Sequence, residues 1–307
     1  MKTPELELLN SDSVNEIAGV HQGLGTLADF LELVKPKIGV FVFFAAFTGA
    51  TLTGGELGQS FFAALSVLCV AASSCVFNQI IERDVDRLMQ RTANRPLVTG
   101  RVDVRDAVLF ASLLAIVGVT SLATAFHIES ALLALGTLAA YALVYTPLKR
   151  ATSLNTIVGA VPGAMPPLLG AVAISGAPGS WGWILFGVLF TWQFPHFLAI
   201  AWLYREDYAR AGMQMLPALP GSRGVAGRQA LLYSLVLLPL SLLPGVRGDA
   251  GLVYTAAVFF LGLGYVGASL AFARAETIRT ARSVLLLSLI YLPAVFCAAL
   301  FDPALSF

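Results

Sequence analysis

Residues 61–100 read FFAALSVLCVAASSCVFNQIIERDVDRLMQRTANRPLVTG. The stretch 61–82 is continuously apolar and long enough to cross a bilayer, whose hydrocarbon core takes about 20 helical residues. Acids and arginines then crowd together at its end. The rest of the chain repeats the apolar half of this pattern. Of its 307 residues, 57% are hydrophobic and 12% charged, about half the charge a soluble domain carries on its surface. Nine apolar runs lie near 37–54, 61–82, 106–126, 129–147, 155–175, 181–203, 229–246, 251–273 and 282–301. They are too long and too continuous for barrel strands, and a helix satisfies every backbone group within the segment. The reading is an all-α membrane protein with nine transmembrane helices. The fifth run holds Pro162, Pro166 and Pro167 with Gly159 and Gly163, which predicts close packing and a kink there.

Lysines and arginines fix the orientation. Eighteen of the 19 lie in the N-terminal segment or in the loops after runs two, four, six and eight, leaving Arg247 alone on the other side. By the positive-inside rule the N-terminus and these loops are cytoplasmic and the C-terminus is outside. In a bacterial cell this is the inner membrane. The basic residues sit beside spans rather than on a soluble face, so nucleic acid is excluded as a partner. Residues 1–34 are polar and carry Glu5, Glu7, Asp12 and Glu16. They lack the apolar core of a signal peptide, and their acidity argues against a mitochondrial presequence; a mostly disordered cytoplasmic tail is expected. Cys69, Cys75 and Cys297 are scattered in apolar segments without a CxxC, and read as small buried residues rather than a metal site or disulfide.

Asn78, Glu82 and Asp86 recur every fourth residue. If the second span stays helical to about residue 86, their side chains form one stripe, with Asp84 pointing elsewhere. Two carboxylates and an amide suit Mg²⁺, which keeps waters and completes its shell with substrate phosphates. The plainer alternative is a solvated helix end with Glu82 paired to Arg83 or Arg87. The continuation favours the first reading: Arg91 and Arg95 follow, and Lys149 and Arg150 arrive from another loop on the same side. Metal-holding acids followed by guanidinium forks describe a diphosphate site. No P-loop or GxGxxG accompanies it. His196 lies roughly 10 Å below the interface at about 1.5 Å per residue. An ionisable group at that depth is a functional candidate, and imidazole is a common haem ligand. A neutral histidine bonded to a neighbouring helix is the alternative. Trp192, Phe194, Phe197 and Trp202 surround it, and none is assigned individually.

The pattern N-x3-[DE]-x3-D followed by RTANRPLVTG resembles the first motif of the UbiA superfamily of intramembrane aromatic prenyltransferases. The resemblance runs through Asn78, Glu82, Asp86, Arg91, Thr92, Asn94, Arg95, Pro96 and Gly100. TWQFPHFLAIAWLYREDYARAGMQMLP at 191–217, LVKPKIGV at 33–40 and YTPLKRATSLNTIVGAVPGAMPPLLG at 145–170 are similar to the haem-farnesylating branch of that superfamily. Together the likeness covers roughly residues 30–300. Position 82 is Glu where many members have Asp. The superfamily's second acidic motif, DxxxD, stands here as Tyr204-Arg205-Glu206-Asp207-Tyr208, so a second metal held by paired aspartates is not expected.

The resemblance implies a UbiA-type bundle in which residues 35–307 form one polytopic domain with a cytoplasmic-side active site. It implies transfer of a farnesyl group from farnesyl diphosphate to a vinyl group of haem b, with addition of water. Mg²⁺ is the cofactor, held by Asn78, Glu82 and Asp86, which are also the catalytic set. Arg91, Arg95, Lys149, Arg150 and Arg205 bind diphosphate, and His196 meets the haem as ligand or orienting donor. Tyr204 and Asp207 are second-tier contacts for diphosphate or haem propionate. Partners implied are the two substrates, membrane lipid, and a haem A synthase or terminal oxidase assembly downstream. Prenylation of another aromatic acceptor is the rival within the class. A transporter or non-catalytic haem-binding assembly protein is the rival outside it.

Overall fold

The computed structural model describes residues 25–303. Among these, every regular element is helical. Eight helices are long and apolar enough to cross a membrane. They are α3 (Leu57–Asp86), α5 (Val104–Ala125), α6 (Ile128–Leu148), α7 (Asn155–Ser175), α8 (Gly179–Leu203), α10 (Val225–Arg247), α11 (Leu252–Arg274) and α12 (Ile278–Leu300). The remaining apolar run, the first, forms α2 (Pro36–Leu52), 17 residues long, which at 1.5 Å per residue spans about 26 Å. The short helices α1 (Leu27–Leu33), α4 (Pro96–Thr99) and α9 (Arg205–Arg210) lie between or before these.

Part of the stretch 1–34 expected to be disordered is therefore helical, while residues 1–24 lie outside the described residues. The cause is local and tertiary together. Thr26 and Asp29 form a reciprocal capping box. Arg101 pairs with Asp29 and, at 3.1 Å, with Glu32, and Gln79 Nε2 donates to the Leu33 carbonyl at 2.6 Å.

Two groups of helices close into one bundle. Helices α2, α3, α5, α6 and α7 pack together, as do α8, α10, α11 and α12, and the groups meet at α7–α8 and α2–α12. Burial separates inner from outer helices: 72% of the most apolar window of α7 is buried, 67% of α8 and 61% of α3, against 22% for α5. Leucines such as Leu109, Leu113, Leu132, Leu235 and Leu286 face outward, as expected of a multi-pass membrane protein whose outer solvent is lipid. Inside α7, Pro162, Pro166 and Pro167 are all buried.

The α2–α7 crossing depends on absent side chains. A Cβ at Gly49 would strike the Pro167 carbonyl, and one at Gly170 the Ala46 carbonyl. Such backbone-to-backbone contact is the membrane use of glycine. Gly170→Ala is expected to lower stability by about 1–3 kcal/mol through overpacking. Gly264→Ala, where nothing lies within 4 Å, serves as the neutral reference. Thermal unfolding in detergent checks it, and equal melting temperatures for the two variants would contradict the close crossing.

Candidate active site

Helix α3 continues unbroken to Asp86, so the fourfold spacing does align three polar groups on one face. Asn78, Glu82 and Asp86 are all buried, Asp86 to 1% exposure. Asp84 turns outward and meets Arg87 at 3.8 Å. Glu82 pairs with neither Arg83 nor Arg87 but with Lys149, Nζ to Oε1 at 2.8 Å. The solvated-end reading of the stripe is thereby excluded.

Each member of the stripe is met by a cation from a different segment. Lys35 Nζ donates to Asn78 Oδ1 at 3.3 Å, Lys149 meets Glu82, and Arg95 Nη1 donates to Asp86 Oδ2. Asn78 Nδ2 donates to Thr146 Oγ1 at 3.1 Å. Thr92 Oγ1 donates to the Asp86 carbonyl at 2.9 Å, capping the end of α3 and turning the chain so that Arg95 comes back over it. Pro96 then starts α4, and Gly100, at φ 75°, ends it. Burial alone would lower the Lys149 ammonium, but Tyr145 and the Glu82 carboxylate outweigh it and hold it above the usual lysine range. Burial pulls Lys35 below that range.

Asp86 Oδ1 is buried with no hydrogen-bond partner. A buried carboxylate oxygen without a partner is costly in isolation and is open to a cation. Among the described residues no group of three or more His, Cys, Asp or Glu side chains is placed to hold a metal ion on its own. The open Asp86 Oδ1, on one face with Glu82 and Asn78, fits a hard cation that takes its remaining ligands from water and phosphate oxygens.

The other candidates divide. Arg91 reaches this side from the loop, donating Nη2 to Tyr208 Oη at 3.0 Å and lying over the rings of Tyr204 and Tyr208. Tyr208 packs with Val85 and Met89, which seats α9 against the end of α3. Arg150 is exposed. Arg205 stacks on Trp202 at 4.4 Å and lines a separate cavity of about 710 Å³ with Trp202, Arg223, Arg274 and Glu276. Asp207 is taken by Arg210, and the Glu206 side chain is 83% exposed; the 204–208 segment thus assembles no second acid pair. His196 belongs to the α8–α12 side, with Nδ1 2.7 Å from Ser288 Oγ and its ring stacked on Trp192.

Lys35 and Thr146 were not among the residues singled out from sequence. Lys35 precedes Pro36 yet holds φ at 52°, a left-handed conformation that a residue with a side chain adopts only when its surroundings enforce it. The signal available was a lysine directly before Pro36 at the mouth of the first span, with Lys37 two residues on. Thr146 is presented by a π-helical turn, Ala140–Tyr145, next to Pro147, which lacks the N–H a regular turn would use.

The UbiA prenyltransferase family matches residues 39–297. A protein named protoheme IX farnesyltransferase from Solibacter usitatus (strain Ellin6076) is 39% identical over 289 residues, covering 90% of this chain and 99% of its own. Among solved structures, a digeranylgeranylglyceryl phosphate synthase shares the fold with a TM-score of 0.75 at 19% identity, over 90% of this chain and 98% of the other. A UbiA homolog from Archaeoglobus fulgidus bound to GPP and Mg²⁺ shares it with a TM-score of 0.64 at 20% identity, over 88% and 99%. The match spans the bundle from α2 to α12 and includes the whole acid stripe; this chain belongs to the UbiA prenyltransferase family.

Proposed function

We propose that this protein transfers the farnesyl group of farnesyl diphosphate to a vinyl group of haem b, with addition of water, making haem O. The observation that carries the transfer is the buried Asn78–Glu82–Asp86 face with its open Asp86 oxygen, ringed by Arg95, Lys149 and Lys35. The choice of acceptor is supported by the 39%-identical relative, whose name specifies protoheme and farnesyl.

Asn78, Glu82 and Asp86 would hold Mg²⁺, which when bound neutralises diphosphate charge and makes it a better leaving group. Arg91, Arg95, Lys149 and Arg150 supply fixed positive charge to the diphosphate as the allylic C–O bond breaks and negative charge grows on oxygen. Arg205, in the cavity it lines with Trp202 and Arg223, is a diphosphate or haem-propionate contact, with Tyr204 and Asp207 beside it in the chain. The vinyl carbon forms the new C–C bond to farnesyl C1. Water adds to the resulting cation next to the macrocycle and releases a proton. His196 meets the haem from α8. The apolar bundle houses the farnesyl chain and keeps water from the allylic cation. No side-chain nucleophile is needed.

In this reading α2 is the ninth transmembrane helix and residues 35–307 form one catalytic domain. The basic end faces the cytoplasm, with the C-terminus across the inner membrane. Haem O then passes within the membrane to a haem A synthase or an oxidase under assembly. Purified protein incubated with haem b, farnesyl diphosphate and Mg²⁺ is expected to give a haem heavier by one farnesyl group and one water, read by mass spectrometry. Haem binding without that product would instead mark an assembly protein. Consumption of farnesyl diphosphate only with another aromatic acceptor would mark the same chemistry with a different substrate.

A further inference from the structure

Ser288, on α12, is fully buried and sits at a junction of contacts with Leu285, His196, Trp192 and Tyr265. Its Oγ donates to the Leu285 carbonyl at 2.6 Å, and His196 Nδ1 lies 2.7 Å from the same Oγ. Its own carbonyl accepts from Trp192 Nε1 at 2.9 Å, and the Trp192 ring stacks on the imidazole with centroids 4.7 Å apart. A serine hydroxyl has one proton and two acceptor lone pairs. A carbonyl can only accept, so the contact with Leu285 commits that proton. With that proton pointed at the Leu285 carbonyl, the Oγ facing His196 is an acceptor and Nδ1 carries the imidazole proton. In the neutral ring Nε2 is then left as a bare lone pair.

We infer that Ser288 is a positioning residue that fixes His196 in the Nδ1–H tautomer and so presents Nε2 as a ligand to haem iron. This rests on the reading of His196 as the residue that meets the haem, and it decides between the two roles open to it. An Nε2 lone pair binds iron or accepts a proton; it cannot orient the macrocycle by donating one. Trp192 adds the second constraint, since its stacking holds the ring plane while Ser288 holds its edge. A metal-bound histidine is ordinarily oriented through its other nitrogen in this way.

The full chain in detergent, labelled with ¹⁵N-histidine, reports the tautomer directly through its ring nitrogen shifts, and His196→Ala assigns the signal among the three histidines. The expected result is a protonated Nδ1 and an unprotonated Nε2 before haem is added; a protonated Nε2 overturns the inference. Absorption and EPR spectra with haem b then test the consequence. Ser288→Ala is expected to weaken haem binding roughly 10–100-fold and to shift the spectrum toward that of His196→Ala, while Ser288→Thr, which keeps the hydroxyl, retains the wild-type spectrum. A His196→Ala spectrum identical to wild type would sink the haem reading itself. If His196→Ala alters the spectrum and Ser288→Ala does not, the haem reading stands and the positioning role fails.

Discussion

Asp86→Asn is expected to abolish turnover, with a fall of at least about 10³-fold. The substitution preserves shape, so packing around the 1%-exposed side chain is retained. What it removes is charge at two places. Oδ2 no longer anchors the Arg95 guanidinium, and the unpartnered Oδ1 no longer offers a full negative charge to a divalent cation. A neutral amide can replace a hydrogen bond but not the electrostatic attraction that a hard cation requires. Asp84→Asn provides the contrast: its side chain is 90% exposed and its contact with Arg87 is 3.8 Å, and such surface pairs contribute little. Steady-state rates across a Mg²⁺ titration separate the two. Asp86→Asn activity within tenfold of wild type at any Mg²⁺ concentration would exclude the metal role.

The reach of the sequence differs from element to element. Helix α3 and its stripe were legible because both signals are local: an apolar run sets the length and a fourfold spacing sets the face. The ends of α7 coincide with the expected 155–175 because Gly176, at φ 74°, supplies the stop. Helix α2 starts one residue before the expected 37–54 and ends two residues before it; the chain bends in at Lys35 and turns out at Gly54, where φ is 95°. Neither bend has a period to detect. Lys35 reaches Asn78 across 43 positions, and such a pairing leaves no trace in either segment. The same applies to Ser288, 92 positions from His196. The plainer reading of His196, a histidine bonded to a neighbouring helix, describes its Nδ1; the functional reading concerns Nε2. Arg205 shares the basic side with Arg95, yet it stacks on Trp202 and lines a cavity that none of the stripe residues lines. Sequence therefore identified the charge available at this end of the bundle, and only the packing of α9 on α3 apportions it.

Lys149→Met should move stability and catalysis in ways that expose its two roles. The Lys149 side chain is 14% exposed and that of Glu82 9%, with 2.8 Å between their charges. Removing the lysine leaves a buried carboxylate without compensation, which costs about 3–5 kcal/mol. The double variant Lys149→Met, Glu82→Gln should recover most of that loss, because the buried charge is gone too. Thermal unfolding of the two single variants and the double closes the cycle. Catalysis follows a different logic. In the absence of substrate Lys149 occupies Glu82, so it competes with any cation for that oxygen. Below its melting temperature, Lys149→Met should then reach half-saturation at lower Mg²⁺ than wild type. Its maximal rate should fall by about 10²-fold or more, because a positive charge aimed at the departing diphosphate is missing. Tighter metal response with a slower rate is not the signature of a merely unfolded or loosened site, which would lose both. A variant that keeps the wild-type rate would confine Lys149 to neutralising Glu82, and the diphosphate grip would then rest on Arg91 and Arg95.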